Sequence, residues 1–141
     1  MKKILSILLF FFVTNFAQAI EYTHCFTIND EKIFLETAVD KAKGLMGRDH
    51  LLPNAGMVFF YPSYEEECFW MKNTKIPLDI IFLKDGTVTR VYKNAEPCIT
   101  DICRVYPSKG VVNQVIEVNA GFCKKYKIKK GSAIWVQELT N

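Results

Sequence analysis

Histidine is scarce in this chain. His24 and His50 are its only two, and neither stands in the paired, close-spaced pattern from which tetrahedral zinc sites are built. There is no serine in a nucleophile elbow, no HExxH run and no phosphate-binding glycine loop, so the commonest signatures of hydrolases, metalloproteases and nucleotide-binding enzymes are missing. Repeats, low-complexity tracts and linkers are absent as well. After the first 19 residues no apolar run approaches the ~20 residues that a bilayer span requires.

What the chain does have begins at its first residues. MKKILSILLFFFVTNFAQA combines Lys2 and Lys3, an apolar stretch from Ile4 to Val13 and a small-residue site at Ala17-Gln18-Ala19, the layout of a secretory leader. Residues 1–19 therefore read as a signal peptide, and residues 20–141 as a single exported domain, periplasmic or secreted. Cys25 follows Tyr22-Thr23-His24 and lacks the small-residue context of a lipid anchor. Removing Lys2 and Lys3 lowers the formal net charge from +3 to +1, so overall basicity gives no reason to expect a nucleic-acid partner. The lysine run at 124, 125, 127, 129 and 130 reads as a solvated surface on the same ground. A mature domain of this length buries about two-thirds of its unfolded surface and forms a core without staples. A monomer with no membrane span after leader removal is the expectation.

All five cysteines, Cys25, Cys68, Cys98, Cys103 and Cys123, lie beyond the leader and meet an oxidising compartment. The odd count leaves at least one thiol outside an internal pair. Cys98 and Cys103 flank the polar loop EPCITDICRVYPS, whose turn-prone residues can bring their Cβ atoms together, and they read as a structural disulfide. Redox enzymes favour two intervening residues at a helix N-terminus, whereas this spacing is four and loop-like.

Strand signals dominate the rest. YTHCFTI and KIFLETAV flank Asn29-Asp30-Glu31 as a hairpin, and PLDIIFLK and TVTRVYK flank Asp85-Gly86 as another. GMVFFY and the Cys68–Lys72 run read as two strands around a turn at Pro62-Ser63-Tyr64, with VVNQVIEV and SAIWVQEL as later strands. DKAKGLMGR reads as a short helix capped by Asp40, and NAGFCKKYKI as another capped by Asn119. About eight short strands and two short helices suit a mainly β (α+β) fold, barrel-like or a strongly curved antiparallel or mixed sheet, because no long helix is available for parallel crossovers.

One residue conflicts with its surroundings. In FWMKNTKIPLDIIF, residues 69–82, period-two alternation puts Asp79 on the same face as Ile81 and Leu83. An isolated charge there would cost several kcal/mol, so Asp79 must be paired, hydrogen-bonded or protonated. Arg48, Lys72 and the backbone N–H groups of the Asn73-Thr74-Lys75 turn are its candidate partners. Two readings follow: Asp79 ties that turn to the sheet, or it stands on the wall of a cleft.

GLMGR (44–48), GMVFFYP (56–62), FWMKNTKIPLDIIF, NAEPC (94–98), YPS (106–108) and VIEVNAGFCKKYKIKKGS (115–132), in that order, resemble the domain of unknown function 192 family, also called uncharacterised protein family 0127. The resemblance runs from about Thr37 to Val136. It implies a small β-rich domain, often secreted, with no established reaction, no catalytic residues to carry over and no cofactor. The cysteine-bearing loop looks like one variant of that family.

Three function classes fit. The first is noncatalytic binding of a small molecule or an envelope partner in a cleft near Trp70 and Asp79, lined by Arg48, Trp70, Lys72, Asn73 and Asp79, because an aromatic face with a few convergent polar groups is what small-ligand sites use. Each of these residues also has a plain reading: Trp70 packs and Lys72 is solvated. The second is a hydrolase or transferase with Asp79 or Glu117 as general base and Lys72 or Arg48 stabilising an anion. The third is handling of copper(I) by Met46, Met57, Met71, His24 and Trp70, against which Met57 and Met71 stand on apolar strands where methionine is ordinary core filler.

Overall fold

The structure is a computed structural model and describes residues 19–140. The leader expected at residues 1–19 lies, apart from Ala19, outside the described residues.

Among the described residues seven strands form one mixed sheet: β1 (His24–Ile28), β2 (Glu31–Thr37), β3 (Ala55–Trp70), β4 (Leu78–Lys84), β5 (Thr87–Ala95), β6 (Val105–Asn119) and β7 (Gln137–Glu138). Their order across the sheet is β5-β4-β6-β3-β2-β1-β7. All neighbours are antiparallel except β2 and β3, which run parallel from Phe34 opposite Ala55 to Thr37 opposite Val58. A parallel pair cannot be joined by a tight turn. The chain therefore crosses over between them through residues 38–54, and this passage packs onto one face of the sheet through Ala38, Leu45 and Leu51.

Both hairpins expected from the sequence are present, and for the expected reason. Asn29 (φ 48°) and Asp30 (φ 65°) turn β1 into β2, and Asp85 (φ 48°) and Gly86 (φ 74°) turn β4 into β5. Positive φ at both central residues matches the right-handed twist of the flanking strands.

Other expectations need correction. The sheet is open, with β5 and β7 at its two edges, so the barrel-like description does not hold. The two strands expected around Pro62-Ser63-Tyr64 are one continuous strand, β3. Its pairing with β6 shifts between Phe60 and Glu65 and again between Glu66 and Cys68, so irregularities in the ladder absorb the proline and its polar neighbours without a turn. Only one short helix forms among the described residues, α1 (Phe122–Lys125). Its N-cap is Gly121 (φ 90°), while the Asn119 side-chain amide instead donates to the carbonyls of Leu51 and Leu52. Residues 41–47 are a run of turns. Asp40 does accept from the Ala42 and Lys43 N–H groups as a cap would, but Gly44 (φ 48°) and Gly47 (φ 77°) leave the right-handed helical region and stop propagation.

Alternation along the strands divides the interior in two. Met57, Phe59, Ile80, Phe82 and Val115 point to one face, beneath the 38–54 crossover. Val58, Ile81, Leu83, Ile116 and Val118 point to the other, covered by Phe122, Tyr126, Ile128 and Ile134 from α1 and the C-terminal segment. No helix among the described residues is long and apolar enough to cross a membrane.

Candidate functional site

Asp79 is buried, as the alternation of its strand requires, and shares its face with Ile81 and Leu83. Its partners are backbone amides: Asn94 N–H donates to Oδ1 at 2.8 Å and Cys123 N–H to Oδ2 at 2.8 Å. The carboxylate thus fastens the end of β5 and the start of α1 to the middle of the sheet. Burial, with the Asp79 charge beside it, pushes the Cys123 thiol up and keeps it protonated.

The other residues expected beside Asp79 are elsewhere. Arg48 forms a two-pronged ion pair with Glu36, its Nη1 2.9 Å from Oε1. Lys72 Nζ donates to the Thr100 carbonyl at 2.6 Å and pairs with Asp101 at 3.2 Å, while Asn73 N–H donates to the Cys98 carbonyl at 2.8 Å. Lys72 and Asn73 therefore hold the loop closed by the Cys98–Cys103 disulfide, whose Cα atoms are 5.9 Å apart. Cys25, Cys68 and Cys123 are free thiols, of which Cys68 is exposed. Of the sulfur and imidazole groups considered for copper, Met57 and Met71 are buried in the core, and His24 Nδ1 lies within hydrogen-bond distance of the Thr23 and Thr37 hydroxyls. Among the described residues no cluster of three or more His, Cys, Asp or Glu side chains could hold a metal ion.

Trp70 does line a cleft, on the face of the sheet opposite Asp79. The cleft has a volume of about 320 Å³ and lies between β3 and the 41–46 turns. Phe59 and Phe69, edge to face at 4.8 Å between ring centroids, form its aromatic base, and Tyr61 and the half-exposed Trp70 form a wall. Glu117 also lines it. In the sheet Glu117 sits between Met57 of β3 and Ile80 of β4, so its side chain points into the core beneath the crossover. Only 5% of the residue is exposed, and Oε2 has no hydrogen-bond partner. Burial alone pushes this carboxyl up to about 8.

Gly44 lies above that oxygen. A Cβ built on it would stand 3.5 Å from Glu117 Oε2 and 3.1 Å from Phe59 Cζ, so a side chain at residue 44 would enter the space over the carboxyl. The φ of 48° at this position disfavours one independently. Toward the rim, Lys41 Nζ lies 4.7 Å from the Tyr61 ring centroid. Burial first, and then the charges of Glu67 and Glu117, push the Tyr61 phenol up. Burial also raises Glu67, with Glu65 adding to it and Lys41 opposing.

Of the five residues expected to share a ligand site, the structure brings only Trp70 to this cleft. Glu117, considered from the sequence as a possible base, is the acidic group that accompanies it. The signal that marked Asp79, a carboxylate inside an apolar strand, is equally present in VIEV. Alternation cannot say which of two such carboxylates faces a cleft, because that depends on register: Asp79 stands opposite Val118 and Ile80 opposite Glu117, which places the two acids on opposite faces.

Comparison with known proteins agrees with this architecture. A crystal structure from Sinorhizobium meliloti 1021, described as that of "a putative transcription regulator", superposes with a TM-score of 0.70 at 29% identity, covering 83% of this chain and 92% of that one. A protein of unknown function from Novosphingobium aromaticivorans DSM 12444 superposes with a TM-score of 0.69 at 33% identity, over 80% of this chain and 83% of that one. No curated protein sequence matches. The DUF192 family model, described as an uncharacterized ACR, matches residues 26–136, and with the order of motifs and the shared fold this shows that the chain belongs to the DUF192 family.

Proposed function

We propose that this protein is an exported, noncatalytic binding domain whose site is the Trp70–Glu117 cleft and whose ligand is a small molecule. One observation carries the reading: a carboxyl oxygen, buried and without a protein partner, at the base of an aromatic cleft. A buried polar atom left without a hydrogen bond costs about 1–3 kcal/mol, and such groups are retained where something outside the chain satisfies them. The volume of about 320 Å³ stands at the lower end of ligand sites, which fits a compact molecule. The exported location rests on the leader.

Binding is favoured over the chemistry that the sequence suggested for Asp79. A hydrolase needs a second group to activate water or to attack. Asp79, the acid first considered for that work, has both oxygens engaged by backbone amides on the other face.

The test is a titration of the ¹⁵N-labelled protein with a library of small fragments of mixed charge, followed by amide and indole NMR shifts. Perturbations are expected to converge on Gly44, Trp70 and Thr74, and to be lost in Gly44→Ala. Fragments that bind only elsewhere, or a library in which nothing perturbs these residues, would refute the site.

A further inference from the structure

We infer that the occupant of this cleft is a small organic cation, an ammonium or guanidinium group on a short apolar body, which seats its N–H on Glu117 Oε2 and releases a proton from that carboxyl as it binds. The inference rests on the cleft being the binding site and adds the class of ligand.

The chemistry follows from what Glu117 lacks. The ion pairs among the described residues are Arg48–Glu36, Lys72–Asp101, Lys75–Asp49 and Lys125–Glu31, so no cation among these residues neutralises Glu117. A carboxyl buried in this way has two remedies: it keeps its proton, or it receives a cation from outside. The first is the state of the empty protein near neutral pH, since burial holds the group at about 8. The second replaces a neutral acid by a charge-assisted N–H···O⁻ contact, which is roughly twice as strong as a neutral hydrogen bond. The rim of the cleft already accepts a cation: the chain's own Lys41 places Nζ over the Tyr61 ring at its mouth.

The charged groups around the cleft agree. The turns contribute Lys41 and Lys43, both exposed, and β3 contributes Tyr61, Glu67 and the Cys68 thiol. The residues of β4 on this face, Leu78, Ile80 and Phe82, carry no charge. Glu36, next to Met57 in the same row of the sheet, is neutralised by Arg48. An anion drawn in by the two lysines would meet Glu67 and would leave Glu117 in its neutral form. A neutral hydroxyl could accept from the protonated acid but would not gain the charge-assisted contact.

The proton balance is simple. The Glu117 O–H bond breaks, the proton passes to solvent, and the ligand keeps its positive charge while its N–H is accepted by the carboxylate. Affinity should therefore rise about tenfold per pH unit up to the midpoint of the carboxyl and level off above it.

Three molecules of nearly one shape separate the possibilities: benzylammonium, benzyl alcohol and benzoate. In protein carrying ¹³C-carboxyl glutamate, the Glu117 signal is identified by its loss in Glu117→Gln. Saturating benzylammonium is expected to lower the midpoint of that signal by about three pH units or more, to bind about tenfold more weakly at pH 6 than at pH 7, and to shift Gly44 and Trp70. Glu117→Gln should lose the preference for ammonium over alcohol while keeping the dispersed amide spectrum of the folded protein, and Gly44→Ala should weaken the ammonium by filling the space over the carboxyl. Binding of the alcohol or benzoate as tightly as the ammonium at pH 8, or ammonium binding that leaves the Glu117 midpoint where it was, overturns the cation. So does a cleft that fragments perturb and benzylammonium does not, and in each of these cases the binding site itself stands. A cleft that no fragment enters overturns both.

Discussion

Glu117→Gln should make the protein more stable at alkaline pH, an unusual result for a substitution in a core. Burial raises this carboxyl to about 8 in the folded chain, against about 4.3 for an unfolded glutamate. Below about pH 4 both states hold the proton, and the contribution of the neutral acid is complete. Between about 4.3 and 8 only the native state holds it, so the unfolded state binds fewer protons and the unfolding free energy falls by about 1.4 kcal/mol per pH unit. Above about 8 both states are ionised and the curve is flat. The full span is about 5 kcal/mol, comparable with the total stability of many domains, and water entering the cleft to solvate the carboxylate reduces it.

Glutamine keeps the shape and cannot ionise, so the variant lacks this slope. Urea unfolding followed by circular dichroism, with the disulfide intact and at intervals from about pH 5 to 9, measures it. The quantity to plot is wild type minus variant, which isolates the contribution of residue 117. The two proteins should agree near pH 5 and diverge steadily, with Glu117→Gln ahead by about 2–5 kcal/mol at pH 9. A difference that stays constant across the range would refute the buried carboxyl and, with it, the reasoning about the cleft.

The opposite behaviour is expected of Asp79. Asp79→Ala strips the acceptor from two backbone N–H groups and should cost about 4 kcal/mol, while Asp79→Asn keeps one acceptor and should cost about half as much. Denaturant midpoints measure both, and a loss below about 1 kcal/mol for alanine would contradict the fastening role. Replacing Cys98 and Cys103 together by serine should lower stability by about 2 kcal/mol in the chain-entropy picture of so short a loop. The same variant should increase hydrogen exchange at Asn73 and Cys98, whose N–H groups join that loop to the segment after Trp70. Unchanged exchange there would show that the loop is held without its covalent closure.

Much of the fold could be read from local chemistry, because the features concerned are local. Asn29-Asp30 and Asp85-Gly86 announce their hairpins through residues that tolerate positive φ, and the structure uses all four that way. Cys98 and Cys103 announce their bond through a short polar loop. Errors arose where a distant partner decides. Pro62 and Ser63 read as a turn, yet β6 offers β3 a long partner with compensating irregularities, and the strand continues. Asn119 reads as a helix cap, yet its amide finds the carbonyls of Leu51 and Leu52, nearly seventy residues away in sequence. The candidate site divided in the same way. That Asp79 is buried followed from its neighbours, whereas its face relative to Trp70 is a matter of register, and no single strand carries that information. The burial of Glu36 beside Arg48 had no strand signal of its own, since EKIFLET alternates without marking which of its acids is inward.

The parallel pairing of β2 with β3 has one more consequence. It obliges residues 38–54 to travel across the sheet, and this same detour roofs Glu117 with Gly44 and supplies Lys41 and Met46 to the cleft. Floor and roof of the cleft thus come from different stretches of chain: the strands supply the floor with its carboxyl, and one excursion supplies the roof. Grafting that excursion from one homologue to another should change the room over the carboxyl, read as the size of fragment that perturbs Trp70, while leaving the host sheet and the buried carboxyl in place.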